Sequence, residues 1–279
     1  MLKDVLRRSR EALSCGGIEN ADYEAQCIIE HVTGFDRARQ IAHGDAELTD
    51  AQKQNIDFII EKRLTRYPLQ YLLNSWSFMG FTLTVGEGVL IPRDDTEVCA
   101  GLCLDHLRDK PNAQAVALCS GSGAIAIALE KLGGANVTAV ELSDKAFYFL
   151  EKNIKDNGCS AKALKGDVLT CHRDFAEGSL DLIVSNPPYI RSGDIEGLQP
   201  EVRYEPAMAL DGGADGLDFY RAIIRDWSPK LKSGGALVFE LGEGQADEVA
   251  AMMKAHCFVS IRTALDFGGC QRAIIGKLP

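Results

Sequence analysis

The chain has 279 residues, a formal net charge of −10 and 46% hydrophobic residues. This length favours one large domain with a smaller one, and the negative charge argues against strong non-specific binding to nucleic acid, which depends on Lys and Arg. No apolar run reaches the roughly 18 residues of a membrane span, and residues 1–14 lack the apolar core of a secretion signal. We therefore expect a cytoplasmic protein that does not bind membranes and binds nucleic acid weakly at most.

Residues 1–75 have the apolar spacing of short helices. "LKDVLRRSREAL" places Leu2 and Leu13 on one face, and "LTDAQKQNIDFIIEKRL" begins with Thr49 and Gln52 at capping-box spacing. Short helices need neighbours for stability, so this part of the chain is predicted to be a small helical bundle.

Residues 76–91 contain aromatic and β-branched residues around glycines, which predicts a β-hairpin that links two domains. In residues 92–279, short apolar strands alternate with amphipathic helices. This alternation predicts an α/β domain with a largely parallel sheet and helices on both faces. Two successive strands at the end suggest one antiparallel edge strand.

The nine cysteines include no C-x-x-C pair, which fits reduced thiols better than a disulfide framework. Cys99, Cys103 and His106 share one face of a predicted helix, but a structural zinc site would need a fourth ligand. We interpret this face as a buried stripe and expect no metal.

The turn after the first strand of this domain, "CSGSGAIA", carries Gly121, Gly123 and Ala126 in the G-x-G-x-x-A pattern. Glu141 lies 20 residues after Gly121, where a carboxylate can accept the hydroxyls of a ribose. Asp167 ends the third strand and is either an acceptor for an adenine amine or a helix cap. Together these features favour an adenosine-containing cofactor over a structural turn, but they do not separate a nicotinamide from S-adenosylmethionine.

The stretch "SNPPYI" follows the fourth strand. Pro187 and Pro188 have no N–H group, so this backbone offers stiffly held carbonyl acceptors only. One hydrogen of an N–H₂ group could bind the side-chain oxygen of Asn186 and the other the Pro187 carbonyl, while Tyr189 stacks on the planar group. We favour this interpretation over a simple rigid turn.

Several motifs resemble the release factor glutamine methyltransferases, the PrmC/HemK family. These are "PLQYLLNSWSFMGF", "VLIPRDDTEV", "IVSNPPYI", "VRYEPAMAL" and "QRAIIGK", whereas residues 1–75 resemble the family only in size and pattern. The resemblance implies a Rossmann-like class I methyltransferase domain with a mostly parallel seven-stranded sheet and one antiparallel strand. It implies S-adenosylmethionine as cofactor, S-adenosylhomocysteine as product, and N5-methylation of the Gly-Gly-Gln glutamine in peptide chain release factors. We expect a monomer.

The resemblance also assigns site residues. Asn186 and Pro187 would be catalytic, and residues 186–189 would bind the substrate. The expected cofactor-binding residues are Cys119, Ser120, Gly121, Ser122, Gly123, Glu141, Asp167, Val168 and Asn186. Residues 1–75 would recognise the protein substrate.

The sequence departs from the family pattern at four positions. The usual loop, D-x-G-[ST]-G-[ST]-G, has Ala117 in place of the acid and Cys119 in place of the first glycine. Cys119 adds a Cβ where the backbone needs a positive φ. Asp94 stands where the family usually has proline, and Asn74 where it often has glycine. We expect cofactor binding to be kept but weakened.

Other functions remain open at this stage. The chain could methylate a glutamine of a ribosomal protein or an exocyclic amino group of nucleic acid. An NAD-dependent oxidoreductase would explain the glycine turn but not "NPPY". The altered loop would also suit a degenerate fold kept for binding alone.

Overall fold

The computed structural model describes residues 1–279, which form two compact units. The first, the helical unit, comprises Met1–Asn74 and Gln199–Tyr204. The second, the α/β unit, comprises Ser75–Leu198 and Glu205–Pro279. No helix in the chain has both the length and the apolar character needed to cross a bilayer.

The helical unit contains five helices. They are α1 (Leu2–Cys15), α2 (Ala21–Thr33), α3 (Arg37–Ala42), α4 (Asp50–Leu64) and α5 (Leu69–Leu73). Their apolar faces meet in one core that includes Leu13, Ile28 and Ile56. The predicted capping box begins α4, since Thr49 Oγ1 accepts the Gln52 N–H at 3.2 Å and Gln52 Oε1 accepts the Thr49 N–H at 3.0 Å.

Arg63 is the main buried charge of the helical unit. Its guanidinium donates to Glu24 at 2.7 Å and to Glu201 at 2.9 Å, so that Gln199–Tyr204 is bound to α4. A buried cation of this kind is tolerated only while its carboxylates remain in place, because an unpaired buried charge is strongly destabilising.

The α/β unit begins with a hairpin and continues as alternating strands and helices. Its elements are β1 (Ser75–Phe78), β2 (Phe81–Thr84), α6 (Asp94–Leu107), β3 (Gln114–Leu118), α7 (Ala124–Gly133), β4 (Asn136–Glu141), α8 (Asp144–Asp156), β5 (Lys162–Lys165), β6 (Leu180–Ser185), α9 (Asp218–Trp227), β7 (Leu231–Glu240), α10 (Ala246–Ala255), β8 (Val259–Leu265) and β9 (Gln271–Lys277).

The seven-stranded sheet has the order β5-β4-β3-β6-β7-β9-β8. The first five strands in this order are parallel, and β9 is antiparallel to both of its neighbours. The predicted mostly parallel sheet with one antiparallel strand is confirmed, but its predicted place at the edge is wrong. β9 takes the inner position because its segment Ala273–Gly276 is buried, whereas β8, with exposed residues on both faces, lies at the edge.

The parallel strands bring their carboxyl ends to one edge of the sheet. Ala117 of β3 is in register with Ala139 of β4 and Val184 of β6. The residues that follow these three strands are therefore neighbours, at the point where the strand order reverses and open α/β sheets bind ligands.

Asn153 on α8 forms hydrogen bonds with both the end of β2 and the turn after β3. Its side chain is fully buried, accepts the Thr84 N–H at 2.6 Å, and donates to the carbonyls of Thr84 and Ser122 at 2.9 Å each. A single amide therefore joins the hairpin to the glycine turn after β3.

We expect Asn153→Ala to lower the free energy of unfolding by about 3 kcal/mol, because it leaves the buried Ser122 carbonyl and the partly buried N–H and carbonyl of Thr84 without this partner. Asn157→Ala is the matched control: its amide binds the Thr82 carbonyl at a more exposed position, so the loss should stay below about 1 kcal/mol. Urea unfolding followed by circular dichroism measures both. Equal losses would contradict the role given to Asn153.

Candidate active site

A cavity of about 410 Å³ lies at the carboxyl ends of β3, β4, β5 and β6. Its wall includes nearly all of the residues expected to bind a cofactor. These are Cys119, Ser120, Gly121, Ser122, Glu141, Asp167, Val168 and Asn186. The remaining residue, Gly123, is the N-cap of α7 and is absent from the wall.

The turn after β3 needs left-handed backbone at three positions. Cys119 has φ 52°, Gly121 has φ 53° and Gly123 has φ 88°. A Cβ on Gly123 would come within 2.7 Å of Leu150, so only glycine fits there without rearrangement. The positive φ expected at Cys119 is confirmed, and this L-residue therefore carries the strain that glycine would avoid.

Glu141 connects this turn to the next one. Its Oε2 accepts the Gly121 N–H at 2.8 Å and its Oε1 accepts the Ser143 N–H at 2.7 Å. The side chain is 92% buried in its position at the end of β4, beside the cavity. Each oxygen keeps a second lone pair with which it can accept a hydrogen bond from a ligand.

Burial and the negative charge of Glu141 raise the pKa of the Cys119 thiol to about 12. The thiol is therefore protonated at neutral pH and is a poor nucleophile. Its place in the cavity wall makes it a contact surface and not a reactive group.

Asp167 and Val168 form the side of the cavity that follows β5. Asp167 Oδ1 accepts the Leu169 N–H at 2.9 Å, which stabilises the turn that follows β5. The Val168 carbonyl accepts the indole N–H of the buried Trp227 at 2.9 Å. The loop is thus fixed from the core, while Asp167 remains on the cavity wall.

The "NPPY" segment leaves β6 beside the same cavity. Asn186 and Pro188 line it, whereas Pro187 and Tyr189 are absent from its wall. Asn186 Nδ2 makes a long contact of 3.5 Å to Thr96 Oγ1, so the amide oxygen is left to accept from a ligand.

Tyr189 is anchored at both ends. Its hydroxyl donates to Glu240 Oε1 at 3.2 Å, and its carbonyl accepts Gln245 Nε2 at 2.9 Å. Burial is the main cause that raises the pKa of the Tyr189 phenol. The ring is partly buried against the core, and its stacking on a substrate remains a prediction.

Three residues that were not assigned from the sequence lie in the cavity wall or directly beside its residues Pro92 and Pro206. Thr96 lines the cavity, and Glu205 accepts hydrogen bonds from the Arg93 guanidinium and from the Ile91 N–H, the latter at 2.9 Å. Burial raises the pKa of Glu205, while Arg93 opposes that rise. Their only signal in the sequence was their place within "IPRDDTEV" and "VRYEPAMAL".

The cysteine stripe on α6 lies away from this chemistry. Cys99 and Cys103 are fully buried in the core, which is the buried stripe that the sequence indicated. His106 Nε2 lies 3.2 Å from the Asp181 carbonyl. No group of three or more His, Cys, Asp or Glu side chains is arranged to hold a metal ion.

Comparison with known proteins matches both units. The PrmC N-terminal domain family matches residues 4–73, and the methyltransferase small domain family matches residues 87–199. The release factor glutamine methyltransferase of Geobacter sulfurreducens is 39% identical over 280 residues, which cover 99% of this chain and 96% of that protein. This chain belongs to the release factor glutamine methyltransferase family. The family member of Moorella thermoacetica is 36% identical, over 98% of this chain and 97% of its own.

Solved structures agree on the fold. A methyltransferase from Pyrococcus furiosus matches with a TM-score of 0.53 and 16% identity, over 82% of this chain and 98% of that one. The predicted family and the predicted Rossmann-like methyltransferase fold are both confirmed.

The motifs that carried the resemblance meet in the α/β unit of this family member. Arg93 of "IPRDDTEV" donates a hydrogen bond to Glu205 of "VRYEPAMAL". Asp95 of the same motif forms an ion pair at 3.2 Å with Arg272 of "QRAIIGK". Thr96 of the same motif reaches Asn186. Side-chain contacts therefore join segments that are separated by up to about 180 residues in sequence, and the contact of Thr96 reaches the "NPPY" segment.

The strain at Cys119 can be measured. We expect the free energy of unfolding of Cys119→Gly to exceed that of Cys119→Ala by about 1 kcal/mol. Both substitutions remove the thiol, but only glycine removes the strain of a positive φ. Urea unfolding of the two variants gives the difference directly. An alanine variant at least as stable as the glycine variant would refute a strained Cys119.

Proposed function

We propose that this protein transfers a methyl group from S-adenosylmethionine to the side-chain nitrogen of the Gly-Gly-Gln glutamine in peptide chain release factors. The observation that carries the proposal is the position of Asn186: it lines the same cavity as Glu141 and Asp167. An acceptor for an N–H₂ group thus lies beside acceptors suited to an adenosine. The names of the full-length relatives support the choice of substrate.

The cavity wall fits the proposed cofactor. Glu141 offers two carboxylate oxygens for ribose hydroxyls, and Asp167 offers an acceptor for the adenine amine. Leu142 and Leu169 expose about half of their surface beside these acidic groups, which suits an adenine ring. When bound, S-adenosylmethionine supplies an electrophilic methyl group on a sulfonium sulfur.

The substrate nitrogen needs orientation more than a base. The lone pair of an amide nitrogen is delocalised into its carbonyl, which makes the nitrogen a weak nucleophile. Asn186 Oδ1 and the Pro187 carbonyl would accept its two hydrogens and turn the π-face of the amide toward the methyl group. The nitrogen becomes acidic only as it gains the methyl, so positioning and fixed acceptors supply most of the catalysis.

The helical unit would recognise the release factor as a folded protein. We propose residues 1–75 as the substrate-recognition domain, residues 76–91 as the linking hairpin and residues 92–279 as the catalytic domain. The enzyme would act as a monomer, without a metal and without strong nucleic-acid binding. Because its proposed substrates work in translation, we also propose a cytoplasmic location.

A labelled-methyl assay tests the substrate directly. The protein is incubated with radiolabelled S-adenosylmethionine and, in separate reactions, with release factor, ribosomal proteins, total RNA or DNA. We expect label on release factor alone, at the Gly-Gly-Gln peptide identified by mass spectrometry. Label on a ribosomal protein or on nucleic acid, with none on release factor, would replace the proposal with that alternative.

Asn186→Ala should lower kcat by about 100-fold or more, because it removes one of two fixed acceptors for the substrate amide. Binding of S-adenosylmethionine, measured by calorimetry, should be largely kept. Asn186→Asp, which retains an oxygen at the same place, should lose less activity than the alanine variant. An alanine variant as active as the parent protein would remove Asn186 from the mechanism.

Intact release factor should be methylated with a kcat/KM about 100-fold or more above that of a short Gly-Gly-Gln peptide, since docking outside the cavity adds binding energy. Steady-state kinetics on both substrates measure the ratio. The peptide should show a raised KM. Similar values for peptide and protein would argue against recognition by the helical unit.

A further inference from the structure

One buried glutamine holds the carbonyl that ends the "NPPY" segment. Gln245 directly precedes α10 and is 9% exposed. Its Nε2 donates to the Tyr189 carbonyl at 2.9 Å and to the Gly216 carbonyl at 3.3 Å. Its Oε1 accepts the Gly242 N–H at 3.0 Å. Both amide hydrogens are therefore in use, and a flipped amide would place its oxygen against two carbonyl oxygens.

The Tyr220 hydroxyl is a further contact of the Gln245 amide. It lies 3.2 Å from Gln245 Oε1 and 2.9 Å from the Glu240 carbonyl, and its single hydrogen serves these two acceptors. Tyr220 is fully buried, so water does not compete for this contact. The orientation of the Gln245 side chain is thus fixed by the core before any substrate binds.

Three glycines leave space for Tyr189 beside this amide. A Cβ on Gly212 would lie 2.7 Å from Tyr189 Cα and 2.8 Å from the Pro188 carbonyl oxygen. A Cβ on Gly242 would lie 3.0 Å from the Tyr189 ring, and one on Gly216 would overlap the Tyr189 carbonyl oxygen. Even a methyl group at these positions would therefore displace the segment. We call the four residues in contact with Tyr189 the Tyr189 support: Gly212, Gly216, Gly242 and Gln245.

The backbone of "NPPY" has little freedom between its two ends. Ser185, the last residue of β6, is held in the sheet between β3 and β7. At the other end, the Tyr189 support holds the Tyr189 carbonyl. The two prolines between these ends have a fixed φ, so few torsions remain free. With Tyr189 in place, the Pro187 carbonyl and Asn186 can hardly change direction.

We propose that Gln245 is a positioning residue that, through the Tyr189 carbonyl, keeps the two acceptors of "NPPY" directed at the substrate amide. These acceptors are Asn186 Oδ1 and the Pro187 carbonyl. The inference rests on the proposed function, because it assumes that both atoms accept hydrogens from the substrate.

The cofactor side of the cavity is held by other contacts. Glu141 and Asp167 follow β4 and β5, whereas the Tyr189 support lies in the connections that follow β6 and β7. The side-chain hydrogen bonds of Glu141 and Asp167 do not involve the support. A change at Gln245 should therefore lower kcat and leave the affinity for S-adenosylmethionine in place.

Gln245→Met tests the inference, with Gln114→Met as the control. The substitution keeps the length of the side chain and removes both donors. Gln114 undergoes the same change at the opposite end of the sheet, where its amide donates to the Asn112 carbonyl at 3.1 Å. Calorimetry with S-adenosylmethionine gives the dissociation constant and the number of binding sites per chain. Expressing kcat on release factor per binding site removes any loss that comes only from unfolded protein.

We expect Gln245→Met to lower kcat per site by about 10-fold or more, with the dissociation constant for S-adenosylmethionine unchanged. Gln245→Glu keeps an acceptor for the Gly242 N–H but cannot donate to the Tyr189 carbonyl, so it should lose at least as much. Gln114→Met should keep the parental kcat.

Gly212→Ala tests the support without removing a hydrogen-bonding group, in case the Gln245 variants do not fold. Its Cβ would press on Tyr189 and Pro188, whereas a Cβ on Gly193, in the same connection between β6 and α9, would meet no atom within 4 Å. Neither glycine has left-handed backbone, so alanine adds no such strain at either position. We expect Gly212→Ala to lower kcat per site by about 10-fold and Gly193→Ala to keep it.

Two outcomes overturn the positioning role while Asn186→Ala remains inactive. One is a parental kcat per site in Gln245→Met or, where that variant does not fold, in Gly212→Ala. The other is a loss confined to the number of binding sites, which indicates a purely structural residue. An active Asn186→Ala enzyme would instead refute the proposed site itself.

Discussion

Two backbone N–H groups donate to one carboxylate, Glu141, and the cavity depends on this pair of hydrogen bonds. Gly121 belongs to the turn after β3 and Ser143 to the turn after β4, so Glu141 holds two loops that would otherwise be free to separate. Asn153 fixes the same glycine turn from the other side. The cavity wall is therefore set before any ligand binds, which lowers the entropy cost of binding.

The same principle extends to the "NPPY" segment. Its prolines have no N–H group with which to anchor the backbone, so other groups must hold it in place. Gln245 donates to the Tyr189 carbonyl, Glu240 accepts the Tyr189 hydroxyl and Thr96 contacts Asn186. A segment whose prolines offer only acceptors is thus held from behind by hydrogen bonds from buried and partly buried side chains.

The sequence predicted those parts of the site whose residues lie close together along the chain. The glycine turn and Glu141 are each placed by the strand that precedes them, and the twenty-residue separation of Gly121 and Glu141 reflects one β-α-β step. The order of the last strands was misjudged because two successive strands look alike in sequence. Only burial on both faces distinguishes β9, which lies inside the sheet, from β8 at its edge.

By itself the sequence determined the alternation of strands and helices, the glycine turn after β3 and the acceptor character of "NPPY", because each depends on neighbouring residues along the chain. The left-handed backbone at Cys119, in contrast, was expected only from the family pattern. Only the tertiary structure decided that Thr96 and Glu240 lie behind Asn186 and Tyr189. No local pattern marks such contacts, since the partners are separated by up to about 140 residues and meet only when α6 packs on the sheet. Burial, which gives Glu240 its raised pKa, is likewise a property of the folded chain.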